Sequence, residues 1–173
     1  IQLLRWNSSY HNRSHTLREK QKWILIMNIE KFDHVGIRIT ERERAVQFYE
    51  ALGFEIEVEV DFDSVIIMKN SNGVEINLVV NGADLNNGKN ILMDVSEKHT
   101  GITHVALRVG SIIDTIEILN EKNIAISQGP VSFGRDGHAS VFLRDPDRNT
   151  LELRARIEDE SEIPGLVFYD PND

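Results

Sequence analysis

The 173-residue chain contains no cysteine. Disulfides, thiolate metal sites and cysteine nucleophiles are thereby excluded, and a reducing, cytoplasmic setting is the expected one. Its 4 prolines and 11 glycines are too few for a low-complexity linker between independent domains. No apolar run is long enough to span a bilayer, so no membrane role is expected. Positive charge is also scarce, with 19 Lys and Arg against 28 Asp and Glu. Residues 1–26 hold Arg5, Arg13, Arg18, Lys20 and Lys22 against Glu19, a balance of +4. The net charge of -9 therefore leaves -13 on the remainder (-9 minus +4). So acidic a body offers no face for a phosphate backbone, which excludes nucleic acid as a partner.

What is present is ordinary for a globular domain, with 40% apolar and 27% charged residues. Residues 1–29 show no period and are expected to be an N-terminal extension outside the fold. The apolar patch from Trp23 to Met27 is too short for a secretory signal. An upstream extension with Met27 as the natural start is the preferred account, and a basic organellar presequence is the alternative.

An internal repeat organises the rest. "DHVGIRITERERAVQFYEALGFEI" from Asp33 resembles "THVALRVGSIIDTIEILNEKNIAI" from Thr103, at a constant offset of 70. His34 then matches His104, and Arg38 matches Arg108. Each copy opens with alternation: Val35, Ile37 and Ile39 share one strand face, and His34, Gly36 and Arg38 the other. Apolar residues at spacings of three and four then predict helices over 41–52 and 112–122, ended by Gly53 and Asn123. Further strands are expected at about 54–61, 64–69 and 74–80, and again at 124–127, 138–144 and 150–155. The fold class is α+β. Two βαβββ modules, at about 30–82 and 101–156, form a curved mixed sheet around a cavity in a 30–156 domain. An acidic C-terminal tail, 157–173, follows, either free or wrapped on a partner.

The polar strand faces carry the chemistry. In "VEINLVV" Glu75 alternates with Val74 and Ile76, and in "TLELR" Glu152 alternates with Leu151 and Leu153. Two imidazoles and two carboxylates on related strands, His34, Glu75, His104 and Glu152, are expected to bind one divalent metal ion: Ni, Co, Zn, Mn or Fe. The His-to-Glu interval is 41 residues in the first copy and 48 in the second. Most of the excess falls near "GPVSFGRDGHAS", which reads as a loop at the cavity mouth. Arg135 and His138, both within it, are substrate-binding candidates, as are Arg38 and Arg108. His99, in the linker between the modules, is expected to be solvated.

"DHVGIRI…AVQFYEALGFE", "ITHVALRV" and "FLRDPDRNTLELR" resemble the vicinal oxygen chelate superfamily over residues 30–156. That superfamily includes glyoxalase I, methylmalonyl-CoA epimerase, fosfomycin resistance proteins, bleomycin resistance proteins and extradiol dioxygenases. The resemblance implies a metal-dependent lyase or isomerase similar to glyoxalase I, with enediolate chemistry on a small 2-oxo or hemithioacetal substrate. Glu152 would be the proton-transfer group, with Glu75 the other catalytic candidate. Arg38 matches the arginine that holds a glutathione carboxylate, so the substrate would be a glutathione or other thiol adduct. The family's asparagine four residues after the first Glu is Val79 on this count, a departure from the pattern. A homodimer is expected. The alternatives are an epimerase or fosfomycin-modifying enzyme, or a metal-free binding module of the resistance type.

Overall fold

The computed structural model describes residues 27–60, 62, 64–134, 137–157 and 163–170. Arg135 lies outside them. The chain divides into two units, residues 1–33 and 34–173. In the first unit, the described residues 27–33 form no helix or strand, and Lys31 pairs with Asp33 at 3.5 Å. The rest concerns the second unit.

The two helices among its described residues are set by their ends. Glu41 precedes α1 (Arg42–Ala51), and its carboxylate accepts from the backbone amides of Glu43 and Arg44. Ser111 caps α2 (Ile112–Glu121) by accepting from the Asp114 amide. Both caps satisfy donors that a first turn leaves unpaired. Gly53 at φ 91° and Asn123 at φ 55° then turn the chain out of each helix, as their positions in the sequence predict.

Around α1 lie β1 (Val35–Ile39), β2 (Phe54–Val60), β3 (Val65–Asn70) and β4 (Glu75–Val80). They form one mixed sheet in the order β1-β4-β3-β2, with β1 parallel to β4 and the rest antiparallel. Around α2 lie β5 (Val105–Arg108), β6 (Ile126–Ser132), β7 (His138–Arg144) and β8 (Thr150–Arg156). A short β9 (Val167–Phe168) completes a second mixed sheet, ordered β5-β8-β7-β6-β9. Each half is thus a βαβββ unit with its first strand parallel to its last.

Two elements differ from expectation. β6 runs past the expected 124–127 into the stretch read as a loop, because a bulge carries it through Gly129 and Pro130. Gln128 pairs with Phe142 and Val131 with Ser140, so three steps on β6 oppose two on β7. Gly129 sits at φ 99°, and a Cβ there would lie 2.5 Å from the Ser140 carbonyl oxygen, so only glycine fits. The acidic tail is the second correction. β9 lies within it and pairs in parallel with β6, Val167 opposite Val131 and Phe168 opposite Ser132. Ile163 is buried in the core.

The apolar face of each sheet turns to the helices. Ile76 and Leu78 of β4, Leu151 and Leu153 of β8, Tyr49 of α1 and Leu119 of α2 belong to one buried cluster. Each such side chain, when fully buried, stabilises the fold by roughly 1.5–3 kcal/mol. Because both apolar faces feed the same core, both polar faces point away from it.

The β7–β8 turn fastens the halves together. The Tyr49 hydroxyl donates to Asp145 at 2.9 Å, and the Asp145 carboxylate also accepts from the amides of Asp147 and Asn149. Burial pushes the Tyr49 hydroxyl pKa up, and the neighbouring Asp145 charge adds to this. Asp147 in turn accepts from the Thr40 amide at 3.2 Å and from Arg44 at 3.3 Å. Asp94 of the linker binds Arg144 at 2.9 Å and also Arg148. The Arg148 hydrogen bond is the main reason its pKa falls to about 2.

Candidate metal centre

In the second half the predicted pair meets. Nε2 of His104 lies 3.2 Å from a Glu152 carboxylate oxygen. Nδ1 of His104 is 3.0 Å from the Thr103 hydroxyl. An Nε2–H would donate to Glu152 at this distance, and with the proton on Nδ1 instead, donated to Thr103, Nε2 would be a lone-pair donor for a metal ion. Glu152 is buried, its side chain only 7% exposed. The Ser140 hydroxyl donates to its other oxygen at 2.6 Å, and Arg154 stands 3.9 Å away. The pairing of β7 with β8 sets Ser140 opposite Arg154, and Phe142 opposite Glu152. A buried carboxylate with a fixed hydroxyl donor is oriented before any ligand arrives.

The first half is built otherwise. β5 and β8 set Glu152 opposite Ala106, two residues after His104. β1 and β4 set Asn77 opposite Gly36, two residues after His34. Asn77, rather than Glu75, therefore occupies the position that corresponds to Glu152. Glu75 lies one pleat away and pairs with Lys69 at 3.3 Å. Hydrogen bonds donated to Glu57 and then to Glu75 hold the Lys69 ammonium above its usual pKa. Asn77 Oδ1 is buried with no hydrogen-bond partner, which leaves a polar acceptor aimed at the site face. His34 is at the exposed start of β1. Among the described residues no three of His, Asp and Glu converge closely enough within one chain to hold an ion.

The other candidates fall as follows. Arg38 donates from Nε to Asn81 Oδ1 at 2.8 Å. It borders a polar recess of about 220 Å³ with Thr40, Arg44 and Asp147. Counted from Asn77 rather than Glu75, the fourth residue onward is Asn81. Arg108, paired with Arg154, is exposed at the end of β5. His138 is half-buried on the β7 face that bears Ser140, opposite Arg156. Thr103, Ser140 and Asn77 are contributors that sequence reasoning missed. Ser140 alternated visibly with His138, but its bond to Glu152 depends on strand pairing.

Each of the paired βαβββ units thus presents a polar sheet face with a histidine immediately before its first strand. A model of the Glyoxalase/Bleomycin resistance protein/Dioxygenase superfamily matches residues 31–153, and the chain belongs to that superfamily. Among solved structures, a glyoxalase/dioxygenase from Nostoc punctiforme is 20% identical, with a TM-score of 0.59 over 76% of this chain and 94% of that one. Virulence protein STM3117 from Salmonella typhimurium is 24% identical, with a TM-score of 0.56 over 76% and 100% of the two chains. An integron cassette protein from the mobile metagenome of V. Cholerae gives 21%, 0.55, and 76% and 98%. At these identities the likeness is one of fold. No curated protein sequence matches the chain. Among the described residues no helix is long and apolar enough to cross a membrane.

Proposed function

We propose that the protein is a divalent-metal-dependent enzyme, a lyase or isomerase similar to glyoxalase I, whose site is shared between two copies of the chain. The observation that carries the reading is the His104–Glu152 pair, 3.2 Å apart, buried on the carboxylate side and oriented by Thr103 and Ser140. The half-site on β1 and β4 would supply His34 and the unsatisfied Asn77 oxygen. Because the polar faces point away from the common core, the two half-sites of one site come from different chains, in a homodimer.

The donor set fits a borderline divalent ion: two imidazoles, one carboxylate and one amide oxygen. Such an ion would supply Lewis-acid polarisation of two adjacent substrate oxygens. Glu152 is the group that takes a proton from the neighbouring carbon and returns it. Ser140 keeps one carboxylate oxygen occupied, so the other, beside His104, is the one that moves the proton. Arg38 and Asn81 form a polar grip for a substrate carboxylate, the feature that suits a glutathione or other thiol adduct. One observation favours a second reading. With a neutral amide at Asn77, His34, His104 and Glu152 alone make a two-histidine, one-carboxylate set, the donor pattern of non-haem iron oxygenases.

Co-expression of His34→Ala and Glu152→Gln chains tests the shared site. Each variant alone is expected to purify without metal. Mixed dimers regain one intact site, so metal content by elemental analysis should rise to about a quarter of wild type, the statistical share. A site within one chain predicts no recovery. A panel of methylglyoxal hemithioacetal against catechol with ferrous iron and oxygen then separates the two chemistries.

A further inference from the structure

Four rings run in line across the second sheet, starting from the proposed ligand. His104 meets Phe142 edge-on at 5.9 Å between centroids, and Phe142 meets Phe133 at 6.0 Å. Phe133 meets Tyr169 at 5.2 Å. Strand pairing puts them on the polar face. Phe142 opposes Glu152, and Val131 opposes both Ser140 and Val167. Phe133 and Tyr169, two residues after Val131 and Val167, continue that face. The Tyr169 amide also donates to the Ser132 carbonyl at 3.0 Å, which fixes the chain beside β6. Tyr169 remains 53% exposed, so its ring is open to a ligand.

We propose that Phe142, Phe133 and Tyr169 form an aromatic wall that selects substrates bearing an aromatic or flat conjugated group next to their two vicinal oxygens. The proposal rests on the metal-site reading and adds the substrate class to it. A flat group whose adjacent oxygens reach His104 and Glu152 extends outward along Phe142, which opposes Glu152. Phe133 stands nearly perpendicular to Phe142, at 88°, so a ring lying on one meets the edge of the other. Tyr169 directly follows β9, so this part of the wall exists because the chain returns to the sheet at Val167. An aliphatic methyl group would reach none of the outer two rings.

The test uses the nickel-loaded full chain and two bidentate probes with adjacent oxygens, benzohydroxamate and acetohydroxamate, measured by titration calorimetry. Wild type is expected to bind benzohydroxamate about tenfold more tightly. Tyr169→Ala with Phe133→Leu should abolish that preference and leave acetohydroxamate unchanged, while Tyr169→Phe keeps it. Melting curves check that each variant is folded. Equal binding of the two probes, or a preference that survives the double variant, overturns the wall and leaves the metal reading standing. Retained metal with neither probe bound overturns it too. A chain that takes up no nickel overturns both.

Discussion

In the second half β8 sets a buried carboxylate opposite Ala106, and in the first half β4 sets an amide opposite Gly36. The same chain path therefore offers Glu152 on one side and Asn77 on the other. Their turns differ as well. The β7–β8 turn is bound to α1 through Tyr49 and Asp145, whereas Asn70 and Val74 at the β3–β4 turn border an apolar gap of about 210 Å³ against α2. Duplication fixed where side chains point; it did not keep their chemistry. The second half carries the buried carboxylate and the fastening turn, and the first half has a neutral amide and an apolar gap in their places.

The largest expected effect breaks this asymmetry at the ligand. Glu152→Gln should cost metal affinity more than the roughly 10–100-fold that follows loss of a supporting partner. Glu75→Gln removes only an ion pair with Lys69 and should stay within about threefold. Asn77→Asp restores a carboxylate at the matching place and should tighten binding about tenfold, by direct attraction. Calorimetric metal titration reads all three, and an equal loss from Glu75→Gln would return that residue to the site.

A smaller effect lies at the fastening. Tyr49→Phe leaves a buried Asp145 short of one donor, at a cost of about 1–3 kcal/mol by urea unfolding. The smallest concerns Asp94. Its pKa falls to about 2 in the folded chain from an ordinary 3.8, so its stabilising contribution is complete above pH 3.8 and disappears as pH falls toward 2. Asp94→Asn should remove that acid dependence and cost about 1 kcal/mol at neutral pH. An unchanged acid profile would mean that the linker pairing contributes nothing.

Both helices were legible because their periodic apolar faces end at Gly53 and Asn123, residues that suit the turn out of a helix. The repeat was legible for the same kind of reason, since His34 and His104 open identical alternations. The choice between Glu75 and Asn77 was not. They stand two residues apart on one strand, so alternation with period two gives both the same face. Only the pairing of β4 with β1 decides which lies opposite Gly36. β6 was hidden because Gly129 and Pro130 read as a break, while a bulge lets the strand resume at Val131. β9 is two residues long, too short to show a period at all.

Each half closes its sheet between residues close in sequence, while the Tyr49–Asp145 bond joins positions 96 apart. Closing a contact across so long a stretch costs more chain entropy than closing one within a half. That bond ties two stretches far apart in the chain across the core the sheets share, so its loss is expected to raise the tendency to aggregate.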